Sequence, residues 1–321
     1  MKQVTKGHWN GYDTYVLHSE ELEVTVLPRL GNQAISVQDT LSGREVVRRP
    51  EEQDLSLFQQ KPYHFGVPLL VPPGRIRQGR FTYEGIAYQF EQNTDYHNHI
   101  HGLHRKQAWC VIDIEEDEDG CTLTSELLTA NDPHWLEQFP FPLRLQMSYR
   151  LQGSTFTQTL EVTNLGEHTI PFGMGYHTWF LLDGQPERWQ LQLPVSGLYG
   201  LDEQLLPTGE LHELGDLASL ADALPLQGTN LDTALRAAPG PAVANLVRND
   251  GYTIRYTVDE SYFKHWVLYT KGECEQYLCI EPYTWLPDAP NLNKPDDFTG
   301  LIRITPGETV RLSSSIQILQ P

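Results

Sequence analysis

The sequence predicts an all-β protein, a large and mostly antiparallel β-sandwich. Three observations lead to this prediction. Apolar and polar residues alternate with a period of two along several segments, which puts every second side chain on the same face of a strand. Turn-forming sequences such as LSG, EDG, QGS, RNDG and TPGE separate these segments, as is typical of hairpins. Long amphipathic helical stretches are missing from the sequence.

The alternating segments extend from the first part of the chain to its last residues. The clearest is FPLRLQMSYRL at 141–151, in which every second residue is apolar. The others, in chain order, are LEVTVLP (22–28), FTQTLEV (156–162), ERWQLQLPV (187–195), GYTIRYTV (251–258), LIRIT (301–305) and TVRLSSSIQIL (309–319). EEDEDG at 115–120 is predicted to be a hairpin tip. LHELGDLASLADAL at 211–224 is compatible with a short helix or with two turns in a long loop.

One domain is predicted over the whole chain, residues 1–321. No low-complexity linker, clear repeat or break in composition divides the sequence. All-β sandwiches often exceed about 200 residues as one unit, and a hydrophobic content of 39% is sufficient for a core without metal or disulfide support.

The charge of the chain limits its partners. Lys and Arg number 23 and Asp and Glu number 42, so the formal net charge is −19. An acidic protein repels phosphate backbones and anionic membranes, so neither nucleic acid nor a membrane is an expected partner. The charge is compatible with a protein that acts on a neutral small molecule. No sequence feature indicates an oligomeric state.

A cytoplasmic location is expected. The first residues contain no apolar run that resembles a signal peptide, and no segment approaches the roughly 18 apolar residues of a membrane span. The four cysteines, Cys110, Cys121, Cys274 and Cys279, form no CxxC pair. They are predicted to be buried, reduced thiols, as is usual in a reducing compartment.

The most unusual stretch is HNHIHGLHRKQAW, residues 97–109, which has four of the 12 histidines. If His97, His99 and His101 lie on one strand, their side chains face the same side and resemble a metal site. However, the segment that follows has two cations, Arg105 and Lys106, and no carboxylate before Asp113. A metal is therefore not expected. Without further signals, these histidines would be interpreted as solvated surface residues.

Five segments in the same order resemble the aldose 1-epimerase (galactose mutarotase-like) superfamily. They are LPRLGNQAISVQD (27–39), VPLLVPPGRIRQGRFTYEG (67–85), IHGLHRKQAW (100–109), GMGYHTWF (173–180) and CIEPYTWLPDAPN (279–291). Two features depart from the family pattern. Thr178 and Trp179 follow the second motif histidine, where the family usually has Pro and an aromatic residue. The usual pair of aspartates is reduced to Asp232.

The resemblance implies interconversion of the α and β anomers of a free hexose without a cofactor. In this reaction the C1 hydroxyl loses a proton while the ring oxygen gains one, so one base and one acid are required. By resemblance, Glu281 is the base, His177 is the acid and His101 lies near the ring oxygen, with Arg75 and Asp232 binding hydroxyls. At reference pKa values of about 4.3 and 6.5, a carboxylate and an imidazole suit these roles.

The resemblance also suggests supporting residues. Trp179, Tyr283 and Trp285 are expected to form apolar walls for the sugar. His99 is the alternative to His101 as the first site histidine. HGLHR also resembles the glucose-6-phosphate 1-epimerase branch of the family, which makes Arg105 a candidate phosphate ligand.

Other functions remain open at the level of sequence. The substrate could be a hexose 6-phosphate, or the chain could be a non-catalytic carbohydrate-binding protein on the same fold. A metal-dependent isomerase on a cupin-like barrel is a further alternative.

Overall fold

The computed structural model describes residues 2–270 and 276–321, and these residues form mainly short strands. The first strands are β1 (Gln3–Trp9), β2 (Tyr12–His18), β3 (Leu22–Leu27), β4 (Gln33–Asp39), β5 (Arg44–Glu45), β6 (Leu69–Leu70), β7 (Arg75–Ile76), β8 (Arg80–Tyr83) and β9 (Ile86–Gln89). The next are β10 (His99–Ile100), β11 (Cys110–Glu116), β12 (Cys121–Leu128), β13 (Leu143–Gln152), β14 (Thr155–Asn164), β15 (Ile170–Phe172), β16 (Gly175–Tyr176), β17 (Thr178–Leu181) and β18 (Trp189–Gln192). The last are β19 (Val195–Leu201), β20 (Pro207–His212), β21 (Leu224–Pro225), β22 (Asp232–Ala237), β23 (Ala242–Arg248), β24 (Thr253–Val258), β25 (His265–Tyr269), β26 (Tyr277–Tyr283), β27 (Ile302–Ile304) and β28 (Thr309–Leu319).

Helices in the described ranges are short. The α-helices are α1 (Leu55–Gln60), α2 (Pro133–Gln138) and α3 (Asp296–Thr299). The 3₁₀ turns are Glu52–Asp54, Pro62–His64, Arg77–Gly79, Thr129–Asn131, Pro186–Arg188, Gly215–Ala221 and Ala289–Asn291. None of these helices is long and apolar enough to cross a membrane.

Two large antiparallel sheets form the body of the protein. The nine-stranded sheet has the order β11-β12-β13-β14-β28-β24-β23-β18-β21. The eight-stranded sheet has the order β20-β19-β22-β25-β26-β16-β6, and β17 also pairs with β26. A five-stranded meander, β1 to β5, and the two-stranded pairs β7–β10, β8–β9 and β15–β27 complete the described architecture. The predicted all-β, mostly antiparallel fold is confirmed.

The alternation in the sequence becomes the alternation between core and solvent. Along β13, the predicted apolar residues from Leu143 to Leu151 are almost fully buried, and the residues between them are more exposed. Each large apolar side chain that is buried in this way contributes about 1.5–3 kcal/mol. The strand therefore cannot turn its other face to the core without losing this contribution.

The two large sheets pack against each other over one hydrophobic core. The hydroxyl of Thr178 on β17 donates to the hydroxyl of Tyr256 on β24 over 3.0 Å, which joins the two sheets directly. The ring of Tyr256 also contacts Trp266 on β25 at 6.3 Å between centroids. The largest core cluster includes residues from Leu17 to Ile318. The single domain over residues 1–321 stays a prediction.

The predicted strand at 187–195 is divided between the two sheets. β18 ends at Gln192 and belongs to the nine-stranded sheet, whereas β19 begins at Val195 and belongs to the eight-stranded sheet. Pro194 lies between them, and its missing N–H cannot continue a central ladder. The residue pattern alone does not reveal this change of sheet, because both strands bury the same alternate positions.

Three further expectations have definite outcomes. The hairpin tip at 115–120 is confirmed, since it connects β11 to β12. Segment 211–224 forms the 3₁₀ turn Gly215–Ala221 between two strands. Of the cysteines, Cys121 and Cys279 are buried as predicted, Cys110 is exposed against the prediction, and Cys274 lies outside the described residues.

Candidate active site

A cavity of about 190 Å³ opens on one face of the eight-stranded sheet. Successive side chains of a strand point to opposite faces, so residues two apart reach the cavity together. On β26, Glu281 and Tyr283 line the cavity, while Leu278 and Ile280 face the core. The described residues that line it are Tyr63, His64, Gly74, Arg75, Ile100, His101, His177, Trp179, Leu201, Leu205, Asp232, Thr233, Ala234, Val267, Tyr269, Glu281, Tyr283 and Pro287.

His177 and Glu281 form a buried pair in this cavity. The imidazole Nε2 of His177 lies 3.4 Å from Oε1 of Glu281, and the two side chains are 8% and 2% exposed. The pair is brought together by β16 and β17, which flank His177 and both pair with β26. Residues about a hundred positions apart in the chain are therefore within reach of a single proton transfer.

Neighbouring side chains hold both members of the pair. The Tyr283 hydroxyl donates to Oε2 of Glu281 over 2.5 Å. Sγ of Cys279 lies 3.4 Å from Nδ1 of His177, whereas Glu281 approaches the other ring nitrogen, Nε2. The Trp179 ring stacks on His177 at 5.4 Å and 23°. Both functional groups are therefore held in one orientation, which favours proton transfer in a defined direction.

Burial shifts the pKa values of both groups away from those of exposed side chains. Desolvation raises the pKa of Glu281 to about 8, the nearby charge of Asp232 adds to this, and the Tyr283 hydrogen bond and Arg75 oppose it. Desolvation, and then the neighbouring His64, lowers the pKa of His177. Near neutral pH the pair therefore holds one proton, and the carboxyl is its preferred position. The reference pKa values used for the sequence do not apply here.

His101 reaches the same cavity through an unusual backbone conformation. Its φ is +64°, and its backbone N–H donates to the carbonyl of Gly74 over 3.1 Å. Its ring lies 5.0 Å from the ring of His177, nearly perpendicular to it. Its Nδ1 is buried, and no residue in the described ranges accepts or donates a hydrogen bond to it. Burial keeps the pKa of His101 well below its usual range, so this ring is neutral.

His99, the alternative first site histidine, is occupied elsewhere. Its Nδ1 donates to the carbonyl of Glu91 over 2.9 Å, and its Nε2 accepts from the N–H of Gly102 over 3.2 Å. Its side chain is fully buried and does not line the cavity. Of the two candidates, only His101 lines the cavity.

The histidine cluster does not share one strand face. Only His99 and Ile100 are extended, as β10, and His97 has a φ of +58° and is exposed. Nε2 of His104 donates to the carbonyl of Leu69 over 3.0 Å, away from the cavity. The backbone on either side of β10 has positive φ values, and side chains alternate regularly only in extended backbone. The histidines around β10 therefore do not point to the same side.

One group of potential metal ligands is present among the described residues. His177, Cys279 and Glu281 each place one ligand atom within 4.8 Å of the others. Sγ of Cys279 lies 3.4 Å from Nδ1 of His177, and Oε1 of Glu281 lies 3.4 Å from its Nε2, so each ring nitrogen faces a different group.

The remaining predicted residues lie partly in the cavity wall. Arg75, Trp179 and Asp232 line it. In the described ranges the guanidinium of Arg75 and the carboxylate of Asp232 have no hydrogen-bond partner, so both can bind a ligand. Nε1 of Trp179 donates to the carbonyl of Tyr63 over 2.8 Å, which fixes its ring in the wall.

Arg105 lies behind the wall. Its Nη2 is 3.2 Å from a carboxylate oxygen of Glu91, and its Nε donates to the carbonyl of Gly102 over 2.9 Å. Its guanidinium lies 5.6 Å from the ring centre of Tyr63, which separates it from the cavity. Arg105 is therefore already paired in the structure.

Sequence reasoning missed several wall residues. Tyr63 and His64 lie in the 3₁₀ turn Pro62–His64, for which the sequence has no catalytic signal. Tyr269 lies on β25, and the side-chain alternation of that strand places it in the cavity wall. Tyr283 was expected only as an apolar wall, but its hydroxyl binds Glu281. Trp285, also expected as a wall, is buried outside the cavity, with its Nε1 donating to the carbonyl of Pro73 over 3.1 Å.

Comparison with known proteins shows the fold and the family of this chain. The fold is that of the galactose mutarotase-like β-sandwich proteins: a galactose mutarotase-like protein from Clostridium acetobutylicum superposes with a TM-score of 0.93 at 21% identity, covering 100% of this chain and 99% of that one. The aldose 1-epimerase family model matches residues 13–317, and the chain belongs to this family.

Two further proteins are similar to this chain, one in sequence and one in structure. The uncharacterized protein YihR of Escherichia coli (strain K12) is 27% identical over 297 residues, which is 90% of this chain and 89% of that protein. Galactose 1-epimerase from Lactobacillus acidophilus NCFM has a TM-score of 0.79 at 18% identity, covering 99% of this chain and 98% of that one. At this identity the structural likeness concerns the fold alone.

Proposed function

We propose that this protein is an aldose 1-epimerase that interconverts the α and β anomers of a free hexose without a cofactor. The observation that carries the proposal is the buried His177–Glu281 pair, 3.4 Å apart in a cavity with polar groups in its wall. A binding site needs no shared proton beside its ligand, whereas ring opening needs one group that takes a proton and one that supplies it.

The reaction is a proton exchange around C1 of the sugar. Glu281, as the carboxylate, removes the proton of the C1 hydroxyl while His177 donates a proton to the ring oxygen, and the C1–oxygen ring bond breaks. Rotation about the C1–C2 bond presents the other face of the aldehyde. Closure returns the proton from Glu281 to the new C1 hydroxyl, and His177 recovers its own from the closing hydroxyl.

Burial favours the proton on Glu281, whereas the reaction needs it on His177, so sugar binding has to shift the proton between them. Burial favours a protonated Glu281 and a neutral His177. The charge of Arg75 already lowers the pKa of Glu281, and sugar hydroxyls that donate to the carboxylate act in the same direction. The 3.4 Å contact gives the proton a direct path from the carboxyl to the ring nitrogen.

Other wall residues bind and orient the sugar. Arg75 donates to sugar hydroxyls and Asp232 accepts from them, which uses the two groups that lack partners in the described structure. The neutral ring of His101 lies beside the ring oxygen, and Trp179 packs against a C–H face.

The environment of Arg105 supports a free sugar over a phosphorylated one. Its ion pair with Glu91 and its position behind Tyr63 keep it out of the cavity wall. A phosphate ligand would have to break this pair. Hexose 6-phosphate 1-epimerase activity is therefore the second candidate, and a non-catalytic sugar-binding protein the third. The predicted cytoplasmic location suits each of them.

Anomer exchange of a panel of sugars tests the proposal. Freshly dissolved α-anomers of several hexoses, plain and 6-phosphorylated, are followed by polarimetry or by NMR exchange with and without protein. We expect faster equilibration of at least one free hexose, and loss of that effect in His177→Asn. If sugars bind but no anomer equilibrates faster than in buffer, the protein is a binding protein and the epimerase proposal is wrong.

A further inference from the structure

Asp288 lies outside the catalytic pair but is bonded to the strand that carries Arg75. It follows β26 and has a left-handed backbone, with φ at +65°. Its backbone N–H donates to the carbonyl of Arg75 over 2.8 Å. Its Oδ1 accepts from the backbone N–H of Arg77 over 2.9 Å. The two bonds enclose β7, the two-residue strand Arg75–Ile76, from both ends.

The carboxylate of Asp288 is held in place by its own neighbours. It is only 2% exposed, and Nδ2 of Asn291 donates to its Oδ1 over 2.7 Å and to the carbonyl of Arg80 over 2.9 Å. Pro287 packs so closely on Gly74 that a Cβ there would lie 2.6 Å from the proline ring. The segment after β26 is therefore fitted to the Gly74–Arg77 backbone at several points.

This contact connects the two sides of the cavity. β7 pairs only with β10 among the described strands, and the N–H of His101 donates to the carbonyl of Gly74. Arg75 thus belongs to a small β7–β10 ribbon that is not part of the eight-stranded sheet, and His101 directly follows the second strand of this ribbon. Glu281 belongs to that sheet. Asp288, seven residues after Glu281, bonds the ribbon to the end of the strand that carries the base.

We propose that Asp288 is a positioning residue for sugar binding, which holds the Arg75 guanidinium at the correct distance from Glu281. The inference rests on the proposed function. Because Asp288 touches neither His177 nor Glu281, its loss should weaken sugar binding and leave proton transfer intact. A displacement of about 1 Å in a side chain that binds substrate is enough to impair the site.

Two substitutions separate the carboxylate from the backbone conformation. Asp288→Asn keeps an acceptor at Oδ1 and tolerates the left-handed φ, and Asp288→Gly keeps this φ but removes the acceptor. We expect the glycine variant to raise KM roughly tenfold with kcat within about threefold, and the asparagine variant to stay within about threefold of wild type in KM. Asp202→Asn is the matched control, because Asp202 is the other carboxylate that contacts Arg77.

A double-mutant cycle with Arg75→Ala provides the decisive readout. If Asp288 acts through Arg75, Asp288→Gly should add little to the KM of the Arg75→Ala variant. If the increases in KM of the two single variants instead multiply in the double variant, the proposal is wrong. It is also wrong if the glycine variant has a lower melting temperature but an unchanged KM. If the glycine variant does not fold, Asn291→Ala is expected to raise KM about threefold, and an unchanged KM would count against the role of the carboxylate.

The failure of this inference can be told apart from failure of the proposed function. The dissociation constant of the sugar, from an NMR titration, is measured for the same variants. If wild type binds sugar but exchanges no anomers, the epimerase proposal fails, and the effect of Asp288→Gly on the dissociation constant still decides the positioning role.

Discussion

Glu281→Gln separates the basicity of the proposed catalytic carboxylate from its shape. In wild type, Oε2 accepts from the Tyr283 hydroxyl over 2.5 Å and Oε1 lies 3.4 Å from Nε2 of His177. The amide oxygen of glutamine can accept from Tyr283, and its NH₂ can donate to the neutral His177 ring. The cavity therefore keeps its packing, and the amide cannot take a proton from the C1 hydroxyl. We expect kcat to fall by roughly 10²–10⁴-fold, with little change in sugar affinity.

The same substitution should stabilise the fold at neutral pH. Burial raises the pKa of Glu281 from 4.5 to about 8, so this group favours the folded state most below pH 4.5 and loses that contribution as the pH rises to 8. At pH 7 the unfolded carboxyl is ionised and the folded one is protonated. Each pH unit above the ordinary pKa of the carboxyl lowers the free energy of unfolding by about 1.4 kcal/mol, so at pH 7 the fold loses up to about 3 kcal/mol of stability. Glutamine avoids this penalty, and the melting temperature should rise by a few degrees.

The assay pairs anomer exchange by NMR with thermal unfolding at pH 5 and pH 7. The gain in stability should be larger at pH 7, since the penalty on Glu281 grows with pH. Glu45→Gln is the matched control, because Glu45 is another carboxyl whose pKa burial raises, and it lies away from the cavity, bonded to Ser36. Wild-type exchange rates in Glu281→Gln would refute the catalytic role. A loss of stability with normal turnover per folded molecule would show that Glu281 is structural.

Four further predictions concern the same site. His177→Asn should lower kcat by roughly 10²–10⁴-fold, and the double variant with Glu281→Gln should be little worse than the weaker single variant, because both groups act in one proton exchange; additive losses would contradict this. Activity requires one proton on the His177–Glu281 pair, so kcat/KM should be constant through pH 7 and should fall above about pH 8, where Glu281 loses its proton. On the acid side, kcat/KM should fall only well below the usual pKa range of histidine. A profile that declines from pH 6.5 upward would instead indicate that an ordinary imidazole is the acid. The chelator-treated protein should retain its activity, and about one tightly held transition metal per chain with activity lost to chelator would require a different mechanism. Arg105→Ala should leave turnover of the free hexose within about threefold, since its charge is paired with Glu91; a hexose 6-phosphate preferred over the free sugar, with that preference lost in Arg105→Ala, would identify the phosphorylated substrate.

Strand positions were predictable wherever one face of a strand is buried. The segments at 141–151 and 309–319 became β13 and β28 because alternate apolar side chains specify both the extended backbone and the face turned to the core. The division at Pro194 was not predictable in the same way. The apolar pattern is identical whichever sheet a strand joins, and only the packing of the two sheets distinguishes them.

The candidate site was predictable by residue type and motif, but not by contact. Glu281, His177, Asp232 and Arg75 line one cavity, as the resemblance implied. The choice between His99 and His101 depended on the φ of +64° at His101 and its bond to Gly74, which belong to the tertiary structure. Arg105 has the same local sequence whether it binds phosphate or Glu91.

The sequence by itself determined the strands, through the side-chain alternation that covalent geometry imposes, and the chemical types available for the reaction. Only the tertiary structure decided which of these groups meet and how they ionise. His177 and Glu281 come together because β16, β17 and β26 pair, and the Tyr283 hydroxyl, the Cys279 sulfur and the Trp179 ring then surround them. Their pKa values move in opposite directions because the assembled sheet and its loops remove water from both, and desolvation opposes the charged form of each group.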